Sequence, residues 1–333
     1  MKTAVLFAPG AGGAENFGKA GEAILRRFLP AAMKTCAGAL GGDYLPGAAL
    51  CEFQAASGYV ETIRSAVASL ARGAPELFVC VGGDGLASYV ADALCGEGLH
   101  IPLLGIAEGT ANAGPIVSMT AEELGGLDLD SLALERVGAV EALQDGLHLA
   151  YGFNDMVIAS TFLGTVGGKV ESLSVEAMAG RGIKVVEAPD PHMSTAGFWI
   201  AKNGHRLEKG MAHPAQLVVS PLRQGEFYGR AVAGVLCQAA YSPRLAGLAL
   251  LESVLVRPSE VEEGVGDFAR VDHLLFGPRD RLMVHGLSSG AGLVSDGNPF
   301  LLRNSDLEFR YRPELVAVAR PARPASGGRR DVH

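Results

Sequence analysis

The chain has 333 residues, a formal net charge of −8, 48% hydrophobic residues and 19% charged residues. This composition is typical of a globular protein with a substantial core and excludes an intrinsically disordered chain. The negative balance argues against a broad nucleic-acid-binding surface, because such surfaces are basic. The length fits two domains or one large domain, and we favour two.

Cysteine usage and hydropathy indicate the compartment. The chain has an odd number of cysteines and no Cys-x-x-Cys pair; they are Cys36, Cys51, Cys80, Cys95 and Cys237. This pattern argues against a disulfide framework or a zinc ribbon and favours a reducing cytoplasm. The first apolar run ends at Pro9-Gly10, which is too short for a signal peptide, and no apolar run is long enough to span a bilayer. We therefore expect a cytoplasmic protein without stable membrane insertion.

The first part of the chain alternates short apolar runs with helical patterns, which is typical of a parallel sheet covered by helices. In chain order we predict a strand Thr3–Ala8, a helix Asn16–Leu29, a strand Ala48–Phe53, a helix capped by Ser57, a strand Leu77–Val81, a helix Leu86–Leu94 and a strand Ile101–Ile106. Glycine-rich turns follow the last two strands. Ligands of doubly wound sheets bind at that edge.

The pattern changes in the second half. Leu127–Gln144 has the character of a connecting stretch, and clear helical periodicity ends after Leu147. Candidate strands are Leu147–Phe153, Met156–Ser160, Gly182–Ala188, Thr195–Lys202, Ala215–Ser220, Ala246–Arg257, Leu282–Val284 and Leu307–Tyr311, and Asn203-Gly204 is a hairpin-turn signal. We predict an α/β doubly wound domain over 1–145, a mostly antiparallel β-rich domain over 146–320, and a disordered tail over 321–333.

The run Gly82-Gly83-Asp84-Gly85 is the most informative motif, since it follows a fully apolar strand. Glycines let phosphate groups approach backbone N–H groups closely. The single carboxylate can accept a proton from an attacking hydroxyl or hold a metal ion that bridges phosphates. The alternative is an ordinary turn in which Asp84 caps the next helix. A second turn, Gly109-Thr110-Ala111-Asn112, one unit later favours the functional interpretation.

These motifs resemble those of the superfamily of NAD kinases, diacylglycerol kinases and sphingosine kinases. Val81–Gly85 is similar to its Gly-Gly-Asp-Gly motif, and Gly105–Asn112 to the lipid-kinase turn Pro-x-Gly-Thr-x-Asn. Asn154-Asp155 resembles the nucleotide-contacting pair of NAD kinases, and Asp296-Gly297 the late Asp-Gly of both branches. The chain is most similar to NAD-kinase-like proteins associated with acetoin catabolism. The resemblance implies a site between an α/β domain and a β-rich domain, and a dimer or tetramer.

Several candidate residues have a plain structural alternative. Asn154 and Asp155 can read a purine edge and hold ribose hydroxyls, or they can form an Asx turn. Arg223 and Arg230 suit bidentate phosphate recognition, or they are solvated surface residues. Asp296 belongs either to the site or to a plain turn between strands.

We therefore expect phosphoryl transfer from ATP, or a related donor, with Mg²⁺, to a hydroxyl, with the 2′-hydroxyl of NAD the favoured acceptor. Asp84 would act on the acceptor hydroxyl. Phosphates and nucleotide groups would be bound by Gly82, Gly83, Gly85, Gly109, Thr110, Asn112, Asn154, Asp155, Arg223, Arg230 and Asp296.

Two alternatives stay open. Gly109–Asn112 also fits a lipid kinase of the diacylglycerol or sphingosine type. Leu86 stands where the family commonly has Thr, and the Gly-Ser-Thr-Ala-Tyr stretch of NAD kinases is absent in that form. These departures motivate the second alternative, a nucleotide-binding sensor that has lost turnover.

Overall fold

The computed structural model describes residues 1–8, 16–56, 58–108, 114–222, 245–254 and 270–321. Within these ranges the helices are α1 (Phe17–Arg27), α2 (Tyr59–Ala71), α3 (Asp84–Gly96), α4 (Ala121–Gly126) and α5 (Val175–Arg181). The strands are β1 (Thr3–Phe7), β2 (Met33–Cys36), β3 (Ala49–Cys51), β4 (Leu77–Gly82), β5 (Leu103–Ala107), β6 (Val117–Met119), β7 (Leu132–Gln144), β8 (Leu147–Gly152), β9 (Met156–Ala159), β10 (Thr161–Val166), β11 (Lys169–Ser174), β12 (Ser194–Lys202), β13 (His205–Arg206), β14 (Gln216–Leu222), β15 (Leu245–Leu251), β16 (Val271–Phe276), β17 (Arg281–Leu287), β18 (Gly292–Ser295), β19 (Asn298–Leu301) and β20 (Leu307–Pro321).

A parallel sheet forms the first part of the chain, with the strand order β3-β2-β1-β4-β5. Strands β1 and β4 are buried along their whole length, as expected for strands covered by helices on both faces. One core packs this sheet against α1, α2 and α3; Phe7, Phe17 and Phe78 are among its fully buried side chains.

The same sheet continues into antiparallel pairing through β20. This strand pairs in parallel with β5 at Val318↔Leu103, and antiparallel with β7 and β17. A separate antiparallel sheet has the order β16-β15-β14-β9-β18-β19, and β10 and β11 form a hairpin of their own. The second core lies between this sheet and the antiparallel part of the first. Within the described ranges, no helix combines the length and apolar character needed to cross a bilayer.

The predicted fold class is confirmed: a parallel α/β region is followed by a mostly antiparallel β-rich region. The Asn203-Gly204 turn is confirmed as well, since both residues have positive φ and join β12 to β13. Ser57 lies outside the described residues, and the residue that caps α2 is Gly58.

Four local expectations were wrong. The supposed connecting stretch 127–144 holds the thirteen-residue strand β7. Strand β2 precedes the strand predicted at 48–53, and α5 forms where no helix was expected. Segment 182–188 makes only an isolated bridge to β11, Leu173↔Val186, because the left-handed Gly182 first ends α5 and redirects the chain.

Candidate functional site

Gly82 and Gly83 lie at the point where the parallel sheet reverses its strand order. Strands β2 and β3 lie on one side of β1, and strands β4 and β5 lie on its other side. A crevice opens at the carboxyl ends of the two strands that flank such a point. A Cβ atom on Gly82 would lie 2.7 Å from the Cβ atom of Ala8, just beyond β1. Only glycine fits there without displacing the neighbouring strand.

Asp84 is the first residue of α3 and does not cap it. The N-cap residue is Gly83, which has no side chain that could cap the helix. The Oδ2 atom of Asp84 accepts a hydrogen bond of 2.9 Å from the backbone N–H of Gly114. A Cβ atom on Gly114 would approach the Asp84 carboxylate to 2.7 Å, so the close contact needs glycine. The structure therefore contradicts the capping alternative and places this carboxylate just beyond the carboxyl end of β4, beside the positive end of the helix dipole.

Asp296 occupies a tight hairpin turn and also binds the backbone of the Asn154-Asp155 segment. Asp296 and Gly297 both have positive φ and join β18 to β19, as in a two-residue type I′ turn. The buried Asp296 carboxylate accepts hydrogen bonds from the backbone N–H groups of Phe153, Asn154 and Asp155, at 2.8, 2.8 and 3.1 Å. Asp296 therefore forms the turn and also orients the segment from Phe153 to Asp155, while its part in a binding site stays a prediction.

Three carboxylates, Asp84, Asp155 and Asp296, come close enough to influence one another. Burial raises the pKa of Asp155 to about 7, and the negative charges of Asp296 and Asp84 add to this rise. Burial likewise raises the pKa of Asp296 to about 6, although its three backbone hydrogen bonds act in the opposite direction. Such a concentration of negative charge is relieved by a cation or by protonation, and perturbed carboxylates in a crevice are candidates for binding and proton transfer.

Sequence reasoning missed the polar side chains that hold these segments together. The Asn298 amide donates to the carbonyl of Gly85 over 3.0 Å, and the Ser220 hydroxyl donates to the carbonyl of Asn154 over 2.6 Å. The hydroxyls of Ser88, on α3, and Ser295, on β18, both donate to the carbonyl of Tyr151. The sequence did hold a signal for Asn298, because this residue directly follows the Asp296-Gly297 turn that the motif comparison had singled out.

Five of the candidate residues, Gly109, Thr110, Asn112, Arg223 and Arg230, lie outside the described residues. The described residues next to the Gly109–Asn112 turn both contact the Gly82–Asp84 segment. The backbone N–H of Glu108 donates to the carbonyl of Gly82 over 3.0 Å, and that of Gly114 donates to the Asp84 carboxylate. Burial raises the pKa of Glu108, while its hydrogen bond with Asn16 and the charge of Lys19 lower it. Roles for the five candidates themselves stay predictions.

An ion-pair network ties α3 to β7 and β8. The Nε2 atom of His148 lies 2.6 Å from Asp92 Oδ1, and its Nδ1 atom lies 3.2 Å from Glu141 Oε1. Arg64 and Arg312 bind the outer oxygens of the two acids. Burial favours the neutral imidazole, but the hydrogen bonds to Asp92 and Glu141 outweigh it and raise the pKa of His148 to about 9. At neutral pH this histidine is a cation that joins the two acids.

Comparison of the sequence with protein-family models and with curated proteins finds no match. Comparison with solved structures finds similar folds along nearly the whole chain. Yeast NADH kinase, solved in complex with NADH, is 11% identical with a TM-score of 0.52, covering 99% of this chain and 89% of that chain.

A putative diacylglycerol kinase from Bacillus anthracis str. Sterne is 13% identical with a TM-score of 0.54, covering 95% of this chain and 96% of that chain. A second putative diacylglycerol kinase from the same organism is 14% identical with a TM-score of 0.52, covering 97% and 98%. The chain therefore has the fold that NADH kinase and these diacylglycerol-kinase-like proteins share.

Proposed function

We propose that this protein transfers a phosphoryl group from ATP, or a related donor, to a hydroxyl group, with the 2′-hydroxyl of NAD as the favoured acceptor. The observation that carries the proposal is the meeting of Asp84 with Asp155 and Asp296 at the crevice of the sheet. Phosphoryl transfer depends mainly on positioning and on charge stabilisation, and a carboxylate beside glycine-lined backbone supplies both.

Each described carboxylate has a separate task in this proposal. Asp84 orients the acceptor hydroxyl and accepts its proton, while the backbone of Gly82–Gly85 and of Gly109–Thr110 binds phosphate oxygens. Asp155 and Asn154 bind the nucleotide, and Asp296 keeps both in place through the three backbone hydrogen bonds. Asn112, Arg223 and Arg230 add polar and cationic contacts to the nucleotide and its phosphates.

The carboxylates also fit a magnesium nucleotide. Mg²⁺ prefers oxygen ligands and in nucleotide sites is bound by one or two carboxylates together with phosphates and water. Asp155 would hold it together with the phosphates, and the burial and repulsion that raise the pKa of Asp155 are what a cation would offset. Among the described residues, no three or more Asp, Glu, His or Cys side chains are arranged as a metal cluster. When bound, the ion would neutralise charge on the transferring phosphate.

Replacement of Asp84 by asparagine tests the proposal directly. The asparagine side chain is isosteric with the aspartate but cannot accept the proton, so we expect phosphorylation of NAD to fall at least about 100-fold while the melting temperature changes little. The matched control is Asp43→Asn, since Asp43 is exposed and has no role in the proposed site. An unchanged rate in the Asp84 variant would remove this residue from the mechanism.

A lipid acceptor is the second candidate, because two of the similar structures are diacylglycerol-kinase-like along 95% and 97% of this chain. Labelled ATP supplied separately with NAD and with diacylglycerol vesicles distinguishes the two acceptors. Tight binding of ATP or NAD in calorimetry, without any product, would instead support the nucleotide-binding sensor. That outcome would fit Leu86, which is buried at the start of α3 where the family commonly has Thr.

The protein is proposed to act in the cytoplasm as a homo-oligomer. Its nucleotide-binding region is proposed to span 1–145 and its β-rich region 146–320. Within the kinase superfamily, the acetoin-associated NAD-kinase-like proteins are the proposed relatives.

A further inference from the structure

Cys36 and Cys51 form a close pair at the carboxyl ends of two neighbouring strands. Each is the last residue of its strand, and the two are Cα partners in the parallel register of β2 and β3. Their side chains therefore point to the same face of the sheet. The two Sγ atoms lie 3.4 Å apart, and both cysteines are free thiols.

The backbone already meets the requirements of a disulfide. Neighbouring strands lie about 4.8 Å apart, within the Cα separation of about 4.4–6.8 Å that disulfides span. The sulfur atoms would have to approach by a little over 1 Å to reach the bonding distance of about 2 Å. A rotation of the two side chains supplies that movement, so β2 and β3 can stay in place.

The two thiols differ in their access to solvent. Cys36 is fully buried, whereas Cys51 is partly exposed at the edge of the sheet. Burial raises the pKa of the Cys36 thiol, and its contact with Cys51 raises it further, so Cys36 is a poor first nucleophile. An accessible thiol backed by a buried one within contact distance is an arrangement that suits an attacking and a resolving cysteine.

We propose that Cys36 and Cys51 are a reversible thiol–disulfide site that is oxidised by hydrogen peroxide. The thiolate of Cys51 attacks one peroxide oxygen, the O–O bond breaks, and the leaving hydroxide takes up a proton to give water. The sulfur of Cys36 then attacks the resulting sulfenic sulfur. The S–S bond forms as the S–O bond breaks, and the hydroxyl leaves with the Cys36 proton as a second water.

The bond would secure a weakly anchored strand at the edge of the parallel sheet. Strand β3 is an outer strand joined to β2 by three residue pairs, and its Leu50 side chain is largely exposed. The loop between the two cysteines packs Tyr44 against Phe7 and Phe17. Oxidation would close this loop covalently and so raise the melting temperature. The site does not depend on the proposed kinase activity.

Peptide mapping of the oxidised full chain provides the test. No Lys or Arg occurs between Thr35 and Ile63, and Asp43 is the one aspartate between the two cysteines. Trypsin together with endoproteinase Asp-N therefore yields two cysteine peptides, 35–42 and 43–64. After a small excess of hydrogen peroxide and alkylation of the remaining thiols, we expect these peptides to be joined, with the loss of two hydrogen atoms. Dithiothreitol should separate them.

Variants decide between this pair and the other cysteines. Cys51→Ser should abolish both the joined peptides and the rise of a few degrees in melting temperature that oxidation gives the unmutated chain. Cys95→Ser, at a partly exposed thiol on α3, should preserve both. Accumulation of sulfinic or sulfonic acid on Cys51 without a cross-link would overturn the proposal. So would a disulfide that joins a different pair, or peroxide treatment that leaves both thiols alkylatable.

Discussion

Replacement of Asp155 by asparagine is expected to stabilise the fold, because the ionised carboxylate is unfavourable where it lies. Its pKa in the folded chain is about 7, against an ordinary value of 3.8. Between these values the folded state binds more protons than the unfolded state, so the free energy of unfolding falls as the pH rises through this window. The full shift corresponds to about 4 kcal/mol. Partial exposure lets water screen the charge, and we expect a gain of about 2 kcal/mol in the variant at pH 8.

Urea unfolding of both proteins at pH 5 and pH 8 measures this effect. At pH 5 the folded carboxyl is mostly protonated already, so the gain should be less than half of that at pH 8. Asp43→Asn, at an exposed position, should change the free energy of unfolding little at either pH. An equal gain at both pH values, or a less stable Asp155 variant at pH 8, would refute the electrostatic reasoning. The stabilised variant should also phosphorylate its substrate more slowly, as is common when a strained site is relieved.

Three further changes probe the surroundings of the site. Asp296→Ala removes the acceptor of three backbone hydrogen bonds and should lower the free energy of unfolding by about 3 kcal/mol in urea. Gly85→Ala places a Cβ atom 2.8 Å from Asn298 Oδ1, so kcat should fall at least about tenfold while the melting temperature changes little. His148→Gln should cost about 1–2 kcal/mol at pH 6 and much less at pH 9.5, because stability gained from a pKa raised to about 9 is fully present below pH 6.5 and lost as the pH rises through 9. A pH-independent cost would indicate packing instead of charge.

The local signals in the sequence predicted the parallel part of the fold and the position of its crevice. Leu77–Val81 is a fully apolar run followed by glycines, a pattern that favours a buried strand ending in a turn at the carboxyl edge of the sheet. The Asn203-Gly204 hairpin could also be predicted from the local sequence, because the two positive φ angles of its turn favour those residue types.

Other features depend on contacts between distant parts of the chain. The partners of the Asp296 carboxylate lie more than 140 residues earlier, so no spacing in the sequence indicates them. Strand β7 was missed because its first half is largely exposed and its second half is buried on both faces, which gives no single period. Helix α5 has seven residues and is too short to show a helical period, although Ser174 caps its start.

Strand β20 makes the two ends of the chain depend on each other. It forms eleven residue pairs with β7 and also reaches β5 in the parallel sheet, where the paired residues Val318 and Leu103 lie 215 positions apart in the sequence. A fragment that stops near residue 145 would keep every strand of the parallel region, yet it would leave the long strand β7 without β8 and β20, the two strands that pair with it. Unprotected edges of that kind recruit other chains and favour aggregation. The amino-terminal half should therefore fold and remain dispersed only when residues 307–321 are supplied, either in the same chain or as a separate peptide.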